Sequence, residues 1–207
     1  MVLVWEKNIH LSTIGKIHAK ENKNSIFADS ENIMNKALAD KIEANSKEYE
    51  RLLKDEKYTD VQFNPETGGL KATHINHNFD DVNGIYERNV QKIGFADGNS
   101  IILESEKGKP IGQRYTEGLW NGKPFEIAGS ETGTSNNMKK GLNHCAEKPN
   151  VRVAVLYFPN DNFDISTFEN AFARFEGVGK SGGKGYVKFE EIYCIGNNKI
   201  LYKKKAT

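Results

Sequence analysis

VRVAVLYF, residues 151–158, is the stretch on which the fold turns. A strand with one wet face alternates polar and apolar residues, whereas this run is almost unbroken in Val, Ala, Leu, Tyr and Phe. It therefore reads as a strand covered on both faces, ended by Pro159. Helical patterns lie on either side. Upstream, Met138, Leu142 and Cys145 fall on one face behind a cap at Thr134 or Ser135. Downstream, Ile165, Phe168, Phe172 and Phe175 step by three and four. A doubly covered strand between two amphipathic helices predicts a mixed sheet with helices packed on it.

Working outward, LWNGKPFEIAG (119–129) reads as a hairpin or bent strand about Asn121-Gly122, and IILESE (101–106) as a strand. A helix is expected from about Val82 to Ile93, with Gly94 as its stop. YVKFEEIYCI and KILYKKK form a terminal hairpin around Gly196-Asn197-Asn198. GVGKSGGKG (177–185) lacks the glycine that a phosphate loop needs, since Arg174 stands there, and reads as a flexible connection. Residues 63–81, FNPETGGLKATHINHNFDD, carry no periodicity and many turn formers, and predict a long irregular loop.

Toward the N-terminus, Met34, Leu38, Ile42, Asn45, Tyr49 and Leu52 make a single stripe on a helix from Asp29 to Leu53, capped by Asp29 or Ser30. The expected fold class is α+β: a helical N-terminal arm (1–62) followed by a small mixed or antiparallel sheet with helices packed on it (63–207).

The 207 residues carry 29 basic and 28 acidic side chains, a net charge of +1. That balance excludes a broad cationic coat for nucleic acid but not one local basic cleft. No apolar run approaches a membrane span, so no membrane partner is expected. Cys145 and Cys194 form neither a disulfide framework nor a metal knuckle, and read as buried thiols of a cytoplasmic protein.

Three constellations carry candidate chemistry. In the 63–81 stretch, His74 and His77 could move protons to and from an RNA phosphodiester while Lys71 stabilises charge on the phosphorane. The plain alternative is a set of solvated loop residues. HxxH in a loop is a poor metal site, so no metal and no cofactor are expected. The second constellation is acidic: Glu87, Glu104, Glu106, Glu117 and Glu126. A carboxylate, a hairpin and then E-x-K on a strand build the site of one large class of metal-dependent nucleases. Here that position reads Glu126-Ile127-Ala128, and alanine neither orients water nor stabilises phosphate. Glu87 alone would be a helix-surface charge, whereas Glu126 alternates with Phe125 and Ile127 on a strand. The third is the crowd of Ser, Thr and Asn at 130–137, which opens a helix whose free N–H groups favour an anion. Thr134 and Asn137 belong to this crowd, and Lys139 and Lys140 sit one turn along. Capping is the simpler role for the same residues.

HINHNFDDVNGIYERNVQKIGFADGNSIILESE, then LWNGKPFEIAG and a capped helix before VRVAVLYF, resembles the nuclease domains at the ends of phage head-associated proteins and of contact-dependent toxins of the CdiA type. Those are similar to the barnase–EndoU–colicin–RelE group, in which a helical part packs on a small sheet and RNA is cut without a metal. The resemblance runs from about Asn64 to Lys204. It implies a metal-independent ribonuclease with RNA, such as tRNA, as substrate. The site residues it implies are His74, His77, Glu87 and Glu126, with Thr134 and Asn137 near phosphate. It also implies a phage particle or an immunity protein as partner, in a host cell or on a virion. The competing expectation is a non-catalytic binding or assembly module of the same fold.

Overall fold

The computed structural model describes residues 32–79, 84–105, 107, 115–181 and 186–205. The expected caps Asp29 and Ser30, together with Val82 and Glu106, lie outside the described residues. Contacts divide the chain into Met1–Lys41 and Ile42–Thr207. Helix α1 spans residues 32–54. Its last turns belong to the larger unit, where Leu52 is fully buried and Tyr49 packs against the same cluster. In the smaller unit the described residues are helical, and Ile33, Met34 and Leu38 are exposed.

The larger unit is α+β. Eight strands lie side by side in chain order: β1 (Tyr58–Phe63), β2 (Leu70–His74), β3 (Ser100–Leu103), β4 (Gly118–Trp120), β5 (Lys123–Gly129), β6 (Val153–Tyr157), β7 (Glu191–Ile195) and β8 (Ile200–Lys205). β2 runs parallel to β3, and β5, β6 and β7 are mutually parallel; every other pair is antiparallel. Each parallel connection carries a helix, because parallel neighbours need a crossover. These are α2 (Gly84–Ala96), α3 (Ser135–Ala146) and α4 (Ile165–Lys180).

Alternation along the strands sorts the core into two faces. From β6, Val153, Val155 and Tyr157 join α2 residues Val90 and Ile93 in one cluster. Ala154 and Leu156 join Met138 and Leu142 of α3 and Phe168 and Phe172 of α4 in another. VRVAVLYF is thus covered on both sides, as its unbroken apolar character requires. On β3, Ile102 faces a third cluster with Leu52, Leu70 and Ala72, so the end of α1 covers this half of the sheet.

The 63–81 stretch is not irregular throughout, because β2 lies in its middle and β1 ends at Phe63. Leu70 and Ala72 are fully buried, and the parallel ladder to β3 makes a strand of five residues that show little pattern alone. The glycine-rich 177–185 stretch is helical as far as Lys180, and residues 182–185 lie outside the described residues.

Two further features position the site. β4 pairs with β5 through only Gly118↔Phe125, Leu119↔Pro124 and Trp120↔Lys123. Beyond Phe125, β5 continues through Glu126 to Gly129 with β6 as its ladder partner. A notch therefore opens in the sheet where β4 stops. Second, α3 sits very close to the sheet at Gly141, where an added Cβ would meet the Leu156 side chain at 2.8 Å and Ala128 Cβ at 3.3 Å.

Candidate active site

A cavity of about 550 Å³ fills the notch. Residues 126–129 of β5 line it, with the opening turn of α2, the segment before β4, and one side of α3.

Glu87 enters from the first turn of α2 and meets His77, whose Nε2 lies 2.8 Å from Glu87 Oε2. The other ring nitrogen, Nδ1, is 2.6 Å from the Glu104 carbonyl. The Glu104 carbonyl can only accept, so Nδ1 carries a proton, and Nε2 shares a hydrogen bond with the Glu87 carboxyl group. Burial works against the charge, but Glu87 and the Glu104 carbonyl outweigh it and the His77 pKa is raised. The two side chains are only 5% and 8% exposed.

Glu117 immediately precedes β4. Together His77, Glu87 and Glu117 offer ligand atoms that all lie within 4.8 Å of one another. Burial pushes the Glu117 pKa up, the charges of Glu126 and Glu87 push it further, and it stands at about 7 despite Lys148 and His77.

Glu126 is 1% exposed. Its Oε1 meets Lys148 Nζ at 3.1 Å and His144 Nε2 at 3.1 Å. Its Oε2 is buried with no hydrogen-bond partner among the described residues. A carboxyl oxygen left so in a protein interior is costly, and the cavity that Glu126 lines is where a ligand could satisfy it. Lys148 itself is held by the Tyr115 carbonyl at 3.0 Å.

The cavity joins residues from all three constellations. His77, Glu87, Glu126, Asn137 and Lys140 line it together. His74 and Lys71 are not among its lining residues. His74 ends β2, where its Nδ1 accepts from the Asn76 N–H at 3.1 Å and its ring meets Tyr58 edge-on. Lys71 pairs with Asp60 at 2.6 Å. Thr134 caps α3, accepting from the Asn137 N–H at 3.3 Å. The simple capping role thus accounts for Thr134, while Asn137 also turns to the cavity.

Sequence reasoning gave no role to Lys148 or His144 and left Glu117 as one carboxylate among several. The one available signal was the missing lysine at Ala128, which called for a cation from elsewhere. Ala128 is packed against α3 at Gly141, so a long side chain has no room there.

Against known protein families, curated proteins and solved structures, the chain matches none. The functional reading therefore rests on this geometry. Among the described residues, no helix is long and apolar enough to cross a membrane.

Proposed function

We propose that this protein is a phosphodiester hydrolase acting on nucleic acid, with a divalent cation held by Glu87 and Glu117 and supported by Glu126. One observation carries the reading: four glutamates line a single cavity, and Glu126, the most buried of them, keeps one carboxylate oxygen without a hydrogen-bond partner among the described residues. Burial first and the neighbouring charges of Glu126 and Glu87 second raise the Glu117 pKa, and a cation would offset both. Carboxylate oxygens with at most one imidazole favour a hard ion such as Mg²⁺ or Mn²⁺. Bound there, the ion would neutralise charge developing on a phosphate.

The chain's own residues supply the rest. Lys148 holds Glu126 in place and brings a positive charge to the cavity, the part that E-x-K chemistry assigns to the lysine absent at Ala128. Lys140 and the Asn137 side chain, on the opening turns of α3, face the same space and would hold phosphate oxygens. His77 orients Glu87 through its Nε2 proton. The sequence resemblance to phage and toxin nuclease domains supports the same broad class. RNA as substrate, and a phage particle or an immunity protein as partner, belong to this proposal.

The test is incubation of the purified protein with labelled DNA and RNA in Mn²⁺, in Mg²⁺ and in EDTA. Cleavage that needs the ion and disappears in Glu87→Gln and Glu126→Gln supports the reading. RNA cleavage that survives EDTA would instead support histidine acid–base chemistry without a metal. No cleavage of either polymer would favour the binding or assembly module.

A further inference from the structure

A phosphate attacked at this site must come within one ion's coordination shell of Glu87 and Glu117, with metal–oxygen distances of about 2.0–2.6 Å. Glu87 is buried on α2 and Glu117 is half-buried before β4. Glu126, the most buried at 1% exposed, stands on β5, whose residues 126–129 line the cavity beside the end of β4. Paired strands present their phosphates on a broad, stiff cylinder, which cannot lower one linkage to that depth without bending or unpairing. A single strand bends freely and can place one nucleotide in a cavity of about 550 Å³.

The charges favour the same substrate form. Duplex binding draws much of its affinity from many lysine and arginine contacts to phosphate. This chain has a net charge of +1, and Lys148 is already paired with Glu126. Four glutamates line the cavity and repel a backbone that brings no other attraction: Glu87, Glu104, Glu117 and Glu126. A compensating contact is present in Tyr86, next to Glu87 on α2, which also lines the cavity. Its ring is fixed against Tyr157 with centroids 5.1 Å apart, and its hydroxyl donates to Glu131 at 2.8 Å. A Cβ at Gly129 would meet that ring at 2.8 Å, so β5 supports it from beneath. A rigid aromatic beside the carboxylates is a stacking platform for an unpaired base.

We infer that the site takes an unpaired polynucleotide strand, one nucleotide entering the cavity with its base against Tyr86. The inference rests on the hydrolase reading. The experiment offers one end-labelled sequence in three forms to the full chain with Mn²⁺: single-stranded, fully paired, and paired with an unpaired tail. DNA and RNA versions are both used, and cleavage of either sugar type counts as support. The single strand and the tail are expected to be cut at least about tenfold faster than the paired region, the loss of one stacked base. Equal rates on paired and unpaired forms would overturn the inference while leaving the hydrolase reading in place. Cleavage of none would overturn the hydrolase reading and this one with it. Tyr86→Ala should raise KM for the single strand about tenfold, with Tyr86→Phe near wild type. Tyr86→Leu, which keeps an apolar group against Tyr157, separates stacking from folding. An unchanged KM in that variant would remove Tyr86 from the proposed contact.

Discussion

Lys148 reaches back from just beyond the end of α3 to place its ammonium 3.1 Å from Glu126 Oε1, with the two side chains 15% and 1% exposed. Removing the lysine strands a buried charge, a change that costs about 3–5 kcal/mol in comparable buried pairs. Lys148→Met should therefore lower stability markedly in thermal melts and lower the rate of metal-dependent cleavage by at least about a hundredfold. Full activity in Lys148→Met would rule out its place in the reaction.

Putting a lysine back at the vacant E-x-K position should not help. Ala128 packs against α3 where Gly141 lets the helix approach, so Ala128→Lys must push the helix off the sheet. Overpacking of this kind costs about 1–3 kcal/mol. The double variant Ala128→Lys, Lys148→Met is expected to remain inactive. Recovered cleavage in that protein would show that α3 yields more easily than its packing indicates.

Glu117 ties the site to pH. Its folded pKa of about 7 lies above the ordinary value of 4.5, so the folded protein keeps a proton that the unfolded chain has released. Stability should therefore decline as pH rises from about 4.5 to about 7. A bound cation reverses the penalty by favouring the carboxylate. Saturating Mn²⁺, roughly a hundred times its Kd, should raise the Tm by roughly 5–10 °C. The gain should be largest above about pH 7 and should shrink toward pH 5. A metal response independent of pH, or unchanged in Glu117→Gln, would count against Glu117 as a ligand.

The two loop histidines should separate in activity. His77 is clamped between Glu87 and the Glu104 carbonyl beside the cavity, while His74 caps the turn after β2. His77→Ala should reduce cleavage by at least about tenfold, because Glu87 loses its orienting donor. His74→Ala should stay within about threefold of wild type, with any loss coming through stability. Equal losses in both would favour a shared proton-transfer role.

At the far end of the sheet, Glu191 receives Lys123 at 2.6 Å, Lys203 at 2.7 Å and the Tyr193 hydroxyl at 2.8 Å. Burial pushes its pKa up, but these three partners hold it down to about 2. A depressed carboxylate contributes stability above its unfolded pKa and loses it as pH falls toward the folded value. Glu191→Gln should cost on the order of 1–2 kcal/mol at neutral pH and flatten the acid limb between about pH 4.5 and 2. A parallel acid limb in the variant would remove Glu191 from that transition.

What the sequence disclosed follows the physics of each element. VRVAVLYF, the phenylalanine-lined α4 and the capped α3 are long or strongly patterned, so their periodicity survives without the rest of the chain. β2 was hidden because Leu70 and Ala72 are its only fully buried residues, set between turn formers, and β1 is interrupted by a register shift between Thr59 and Gln62. In the site, Glu87 and Glu126 were legible because each sits on a regular element with an identifiable face. Glu117 comes to line the cavity only because of where β4 begins. Lys148 lies past a helix end and finds Glu126 through space, which no local spacing encodes. His74 and Lys71 looked like partners of His77 because they are near in sequence, but the turn after β2 separates their surroundings.

The short ladder between β4 and β5 has a mechanical meaning. Among the described residues, three residue pairs, one of them using Pro124 with no N–H to give, make the ladder that joins the first four strands to the last four. On the α2 face, Trp120 packs on Tyr193 with tilted rings, centroids 4.5 Å apart, and bridges this seam. Glu87 and Glu117 stand on one side of it and Glu126 on the other. An ion shared among them would act as a clasp, fastening two leaves of a sheet at the place where they are most easily parted. Amide exchange across residues 118–125 should then slow when Mn²⁺ is added, and the loaded molecule would be stiffer than the empty one.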